Sequence, residues 1–109
     1  MTDEIRIISL DELKGMLDRG DAVRLVNALP DWEFARGHIP GSEHFPSLDE
    51  ALRSLEGDDE IVVYCTDPPC RASKKLYHDL VDRGYRNVRR FEGGLVAWTD
   101  AGYPLETNQ

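Results

Sequence analysis

The 109 residues, 40% hydrophobic and 31% charged, suffice for one domain with a single core, expected to span 1–109. A formal net charge of −8 argues against nucleic acid and anionic membranes, which both need a basic face. No apolar run reaches the length of a membrane span or a signal h-region, so a cytoplasmic location is expected.

Taken in chain order, Arg6-Ile7-Ile8 reads as a short first strand. Ser9 with Glu12 is a capping-box pattern, and Leu10, Leu13, Met16 and Leu17 repeat at helical spacing up to Gly20. Val23 to Ala28 reads as a buried strand. Pro30 then opens a short helix with Trp32 and Phe34, most simply core residues alongside Trp98. Gly37-His38-Ile39-Pro40-Gly41 punctuates the chain before an extended piece around His44-Phe45. Ser47 with Glu50 starts a helix that turns Ala51, Leu52 and Leu55 inward. After the strand Ile61 to Tyr64, an amphipathic helix begins at or just after Arg71, with Leu76, Tyr77, Leu80 and Val81 on one stripe. Val88 to Phe91 is the next strand, and Gly93-Gly94 leads into a last helix. This alternation predicts an α/β fold: a parallel sheet of about five strands with helices on both faces.

The most informative stretch is Ile61-Val62-Val63-Tyr64-Cys65-Thr66-Asp67-Pro68-Pro69-Cys70-Arg71. Parallel sheets bind ligands beyond the carboxyl ends of their strands, and Cys65 lies at one such end. A thiol there faces a helix N-terminus, whose dipole and unpaired N–H groups favour thiolate over thiol. Cys70 in the same loop has three readings: a resolving thiol that closes a bond to Cys65, the nucleophile itself, or an inert residue. Two cysteines in a cytosolic domain read as reactive, metal-binding or inert rather than as a structural staple. His38 reads as a structural hydrogen-bonding residue. Cys65, Cys70, His38, His44 and His78 lack the tight spacing of a metal site.

Several pieces together resemble the rhodanese family. Gly37-His38-Ile39-Pro40-Gly41 follows the acidic and aromatic Asp31-Trp32-Glu33-Phe34. Val62-Val63-Tyr64-Cys65 matches the strand leading to the family's cysteine. Gly84-Tyr85-Arg86-Asn87-Val88 and Glu92-Gly93-Gly94-Leu95-Val96-Ala97-Trp98, with Ala101-Gly102-Tyr103-Pro104 behind, complete the ordered set. The resemblance implies a sulfurtransferase in which Cys65 takes sulfane sulfur as a persulfide and passes it to a thiophilic acceptor. It implies a small donor (thiosulfate or a persulfide), a thiol or protein acceptor, and neither metal nor organic cofactor. The residues expected to line the donor pocket are Thr66, Asp67, Cys70, Arg71, Ala72 and Ser73.

Anchored on the following helix, Ala72-Ser73 falls on the family's usual Arg-Ser pair, and the loop is about two residues longer than the common one. Pro68 and Pro69 carry no N–H, which favours a persulfide carrier over efficient use of free thiosulfate. Asn27 stands where the family commonly has Asp. The sequence also admits two rival readings. One is a non-catalytic sulfur-relay or interaction module on the same fold. The other is a cysteine-dependent phosphatase or arsenate reductase using Cys65 and Arg71.

Overall fold

The computed structural model describes residues 5–45, 47–67 and 69–107; Pro68, one of the two loop prolines, lies outside the described residues. Among the described residues five helices, α1 (Leu10–Arg19), α2 (Asp31–Arg36), α3 (Leu48–Ser54), α4 (Arg71–Asp82) and α5 (Gly94–Asp100), alternate with four strands, β1 (Val23–Asn27), β2 (Glu43–His44), β3 (Glu60–Tyr64) and β4 (Val88–Phe91). Both capping patterns act as their sequences require. Ser9 Oγ accepts from the Glu12 N–H at 3.1 Å, and Ser47 Oγ from the Glu50 N–H at 3.2 Å. Each satisfies an N–H that the first helical turn leaves unpaired.

The strands form one parallel sheet in the order β2-β1-β3-β4. Side chains alternate across it. Leu25, Val62, Tyr64 and Phe91 pack with Leu13 of α1 and Trp98 of α5. Val26, Ile61, Val63 and Val88 pack on the other face with Ala51 of α3 and with Tyr77 and Leu80 of α4. With both faces covered, β3 reads as an unbroken apolar run from Ile61 to Tyr64, as a central parallel strand must. From β1 the chain winds outward to β2, and from β3 it winds the other way to β4. The crevice between the carboxyl ends of β1 and β3 is therefore the topological switch point, and Cys65 follows β3 there.

Two expectations need correction. The first strand shrinks to a single parallel bridge between Ile7 and Arg90 at the outer edge of β4, leaving four strands rather than about five. The Arg90 N–H donates to Arg6 O and the Ile8 N–H to Arg90 O. The ladder stops because Arg6 turns its own N–H to the Tyr77 hydroxyl at 3.1 Å. Trp32 is not core: it is 59% exposed, because six-residue α2 buries none of its residues. Phe34 instead stacks on His38 with centroids 3.9 Å apart, and Trp98 alone of the three is buried as expected. Among the described residues no helix is long and apolar enough to cross a membrane.

Candidate functional site

Cys65 is 1% exposed, and its backbone is held from the side opposite α4. The N–H groups of Leu95 and Val96, in the first turn of α5, donate to the carbonyls of Cys65 (3.0 Å) and Thr66 (2.9 Å). That approach explains Gly94. Its φ is +60°, and a Cβ there would stand 2.4 Å from Cys65 O and 2.7 Å from Thr66 C, closer than backbone atoms can yield. Gly93-Gly94 is the helix-entry turn expected from sequence, and its second glycine is set by contact with the cysteine.

The two cysteines are joined. Cys65 and Cys70 form a disulfide with their Cα atoms 6.5 Å apart, within the span such bonds require. The sequence left Cys70 open among three roles, and the bond makes its proximity to Cys65 a fact. Cys65 is buried, whereas Cys70, the N-cap of α4, is half-buried.

Behind the Cys65 sulfur stands Ser73, fully buried, its Oγ 3.2 Å from Sγ. Behind Ser73 stands Arg90, 1% exposed, whose Nε donates to Ser73 Oγ at 2.9 Å. A guanidinium can only donate, so the hydroxyl must accept from it, and its own proton is left for the sulfur. The same guanidinium donates through Nη2 to Cys70 O at 3.3 Å, and its Nη1 lies 3.7 Å from Glu92. One buried cation thus touches both the support of Cys65 and the peptide of Cys70.

Arg90 was not among the residues expected from sequence. A signal existed: Val88-Arg89-Arg90-Phe91 puts two adjacent charges in a strand covered on both faces, so one must enter the interior. Arg89 leaves towards Glu12 (2.8 Å) and Glu60 (3.0 Å), and Arg90 is the one that goes in.

The expected pocket residues divide. Ser73 faces the sulfur, and the Cys70 N–H donates to Asp67 O at 3.1 Å, folding the loop back. Thr66 and Asp67 are half-buried beside the cysteine. Thr66 lines a groove of 360 Å³ with Leu29, Glu33, Arg36, Gly37, Leu95 and Leu105. Ala72 lines a different groove, of 250 Å³, with Asn27, Ala28, Lys75 and residues of α3. Arg71 is exposed in the first turn of α4, and its guanidinium makes no hydrogen bond or ion pair with any described residue.

The glycine-histidine turn supports the neighbouring strand end. His38 donates from Nδ1 to Phe34 O at 2.7 Å, the structural role expected of it. The Ile39 N–H donates to the Tyr64 hydroxyl (3.0 Å), which donates in turn to Ser42 Oγ (2.9 Å). Burial pushes the Tyr64 phenol up from its ordinary pKa, against the opposing effect of its hydrogen bonds to Ser42 and Ile39. Asn27, buried at the end of β1, accepts from the Leu29 N–H at 2.7 Å.

This arrangement of switch-point cysteine, glycine-histidine turn and closing glycine pair runs along a sequence that matches the rhodanese-like domain family over residues 9–101. The chain belongs to that family. This rhodanese-like domain is 36% identical over 86 residues to the HTH-type transcriptional regulator Rv0324 of Mycobacterium tuberculosis, covering 77% of this chain and 38% of the regulator. To the sulfurtransferase of Allochromatium vinosum it is 27% identical over 103 residues, covering 90% of this chain and 92% of that one. The crystal structure of a rhodanese-like domain protein from Staphylococcus aureus matches with a TM-score of 0.81 at 29% identity, covering 96% of this chain and all of that one. The chain spans less than half the length of the first curated relatives it matches, 38% and 47%. Relatives named sulfurtransferases place sulfur transfer at the level of the family.

Proposed function

We propose that this chain, a single rhodanese-like domain over 1–109, carries sulfane sulfur as a persulfide on Cys65. In the reduced protein the Cys65 thiolate attacks the outer sulfur of a donor. A Cys65 S–S bond forms, the donor's S–S bond breaks, and sulfite or a thiolate leaves with the electron pair. A thiol or protein acceptor then attacks the terminal sulfur and returns Cys65 to thiolate. The requirements are a thiol ionised near neutral pH and donors placed where negative charge sits on sulfur.

The observation that carries this reading is the buried relay Arg90–Ser73–Cys65. A cation in a dry wall, one hydroxyl away from the sulfur, favours the thiolate far more than an exposed cation can. The first turn of α4, which contains no acidic residue, adds the positive end of a helix dipole. The groove beside Thr66 gives a donor or acceptor a route to this end of the sheet.

The test is intact-mass analysis of reduced protein after exposure to glutathione persulfide, with free thiols then alkylated. Wild type and Cys70→Ser should each react through Cys65, and Cys70→Ser should keep one added sulfur there. Cys65→Ser should take up none. An added sulfur that persists at another residue in Cys65→Ser, or a transfer rate unchanged by that substitution, overturns the reading.

A further inference from the structure

The Cys65–Cys70 bond gives the carrier a second way to discharge. Resting on the persulfide reading above, we infer that Cys70 resolves the Cys65 persulfide by displacing hydrogen sulfide, and that a dithiol reductant then reopens the disulfide, making the domain a sulfide-releasing sulfane-sulfur reductase.

The atoms balance as follows. The Cys70 thiolate attacks Cys65 Sγ, the inner sulfur of Cys65–S–SH. The Sγ–S bond to the terminal sulfur breaks, HS⁻ leaves with the pair, and the Cys65–Cys70 bond forms. A dithiol R(SH)₂ attacks Cys70 Sγ, giving a mixed disulfide at Cys70 and releasing Cys65 as thiolate. The reductant's second thiol closes its own disulfide and frees Cys70. Over one turn with a persulfide donor, R′SSH and R(SH)₂ become R′SH, H₂S and RS₂. The sulfane sulfur gains the two electrons that the dithiol loses.

The geometry assigns each cysteine its part. Cys70 is fixed by its own peptide: its N–H donates to Asp67 O at 3.1 Å, and its carbonyl accepts from Arg90 Nη2 at 3.3 Å. The loop therefore returns this residue to within 6.5 Å of Cys65, Cα to Cα. As N-cap of a twelve-residue helix, Cys70 also sits where a thiolate is favoured. The unequal burial sets the order of reduction. Cys70 is half-buried and Cys65 almost wholly so, so an external thiol meets Cys70 first. The sulfur that must leave as thiolate is then Cys65, which has the Ser73 hydroxyl 3.2 Å away. A better-stabilised leaving thiolate departs faster, and reopening delivers Cys65 in the state that accepts the next sulfur.

The experiment is a single turnover without reductant. Reduced, desalted wild type, Cys70→Ser, Cys70→Ala and Cys65→Ser are mixed under argon with one equivalent of glutathione persulfide. Sulfide is assayed, and the proteins are alkylated and weighed intact. Wild type is expected to release one equivalent of sulfide and end as a disulfide that resists alkylation, having lost two hydrogens. Both Cys70 variants should hold the added sulfur on Cys65 and release sulfide only at the Cys65→Ser background. Wild type that keeps a stable added sulfur, with no sulfide above that background, overturns the inference while leaving the carrier reading intact. Cys70 variants that take up no sulfur at Cys65 overturn both.

Discussion

Behind Cys65 stand two fully buried polar side chains, Ser73 and Arg90; in front of it the loop from Thr66 to Arg71 is partly open and ends on an exposed guanidinium. Each region carries a cation, and the sequence draws attention only to the exposed one. Arg71 follows the cysteines directly, but its charge stands in water, where salt and solvent screen it. Arg90 is distant in sequence yet meets the site inside the protein, where its charge is screened far less. In the proposed function the buried wall tunes the sulfur, and the open loop admits what reacts with it.

The sharpest way to break that contrast is Arg90→Met. It should raise the Cys65 pKa by about 1 unit or more, the scale on which a nearby cation acts, and slow sulfur uptake at neutral pH roughly tenfold through lost thiolate. Arg90→Lys should recover part of the shift, since an ammonium keeps the charge but cannot reach Ser73, Cys70 O and Glu92 together. Stopped-flow uptake across pH reads both.

Next in size is Gly94→Ala, which drives a Cβ into the Cys65 carbonyl. It should cost about 1–3 kcal/mol in urea unfolding, as overpacking against an unyielding backbone does, and should slow sulfur uptake as well. Tyr64→Phe probes the other face of the same strand end, where the phenol holds the glycine-histidine turn. Ile39 loses a hydrogen-bond acceptor, an expected loss of about 1–3 kcal/mol. The sign with pH is fixed by the raised phenol. Its folded pKa lies above the ordinary 10.0, so the unfolded chain ionises first and stability falls as pH climbs past that value. Tyr64→Phe should remove this component of the alkaline loss, seen by comparing urea midpoints of the two proteins at neutral and alkaline pH. Smallest is Arg71→Ala: stability within about 0.5 kcal/mol of wild type and an unchanged Cys65 pKa. A shift as large as that of Arg90→Met would erase the contrast.

Most of the fold was legible because its signals are local. Ser9 and Ser47 cap their own helices, Gly20 closes α1 at a φ of 75°, and the apolar run of β3 announces a strand covered on both sides. The first strand was misjudged because pairing depends on a neighbour: Ile7 looks like a strand residue but meets β4 at one position only. Trp32 was misjudged because an aromatic on a six-residue helix carries no sign of which side is covered. In the candidate site, Cys65 and Ser73 were singled out through the strand end and the helix start that hold them, and the structure places their side chains 3.2 Å apart. Arg90 was not singled out: its pairing with Arg89 marks one of the two for the interior, but nothing local says that its guanidinium reaches Ser73 of α4, seventeen positions away. The disulfide was left open for a similar reason: spacing permits closure, but only the fold of the loop decides it.

The central claim is that the buried wall makes Cys65 a thiolate near neutral pH. Its most direct test is the pH titration of the Cys65 thiolate by ultraviolet absorbance in the reduced Cys70→Ser protein, with and without Arg90→Met. The account expects a pKa clearly below the roughly 8.5 of an unperturbed cysteine, rising when Arg90 is replaced. A pKa at or above that value with Arg90 present, or one that Arg90→Met leaves unmoved, would contradict it.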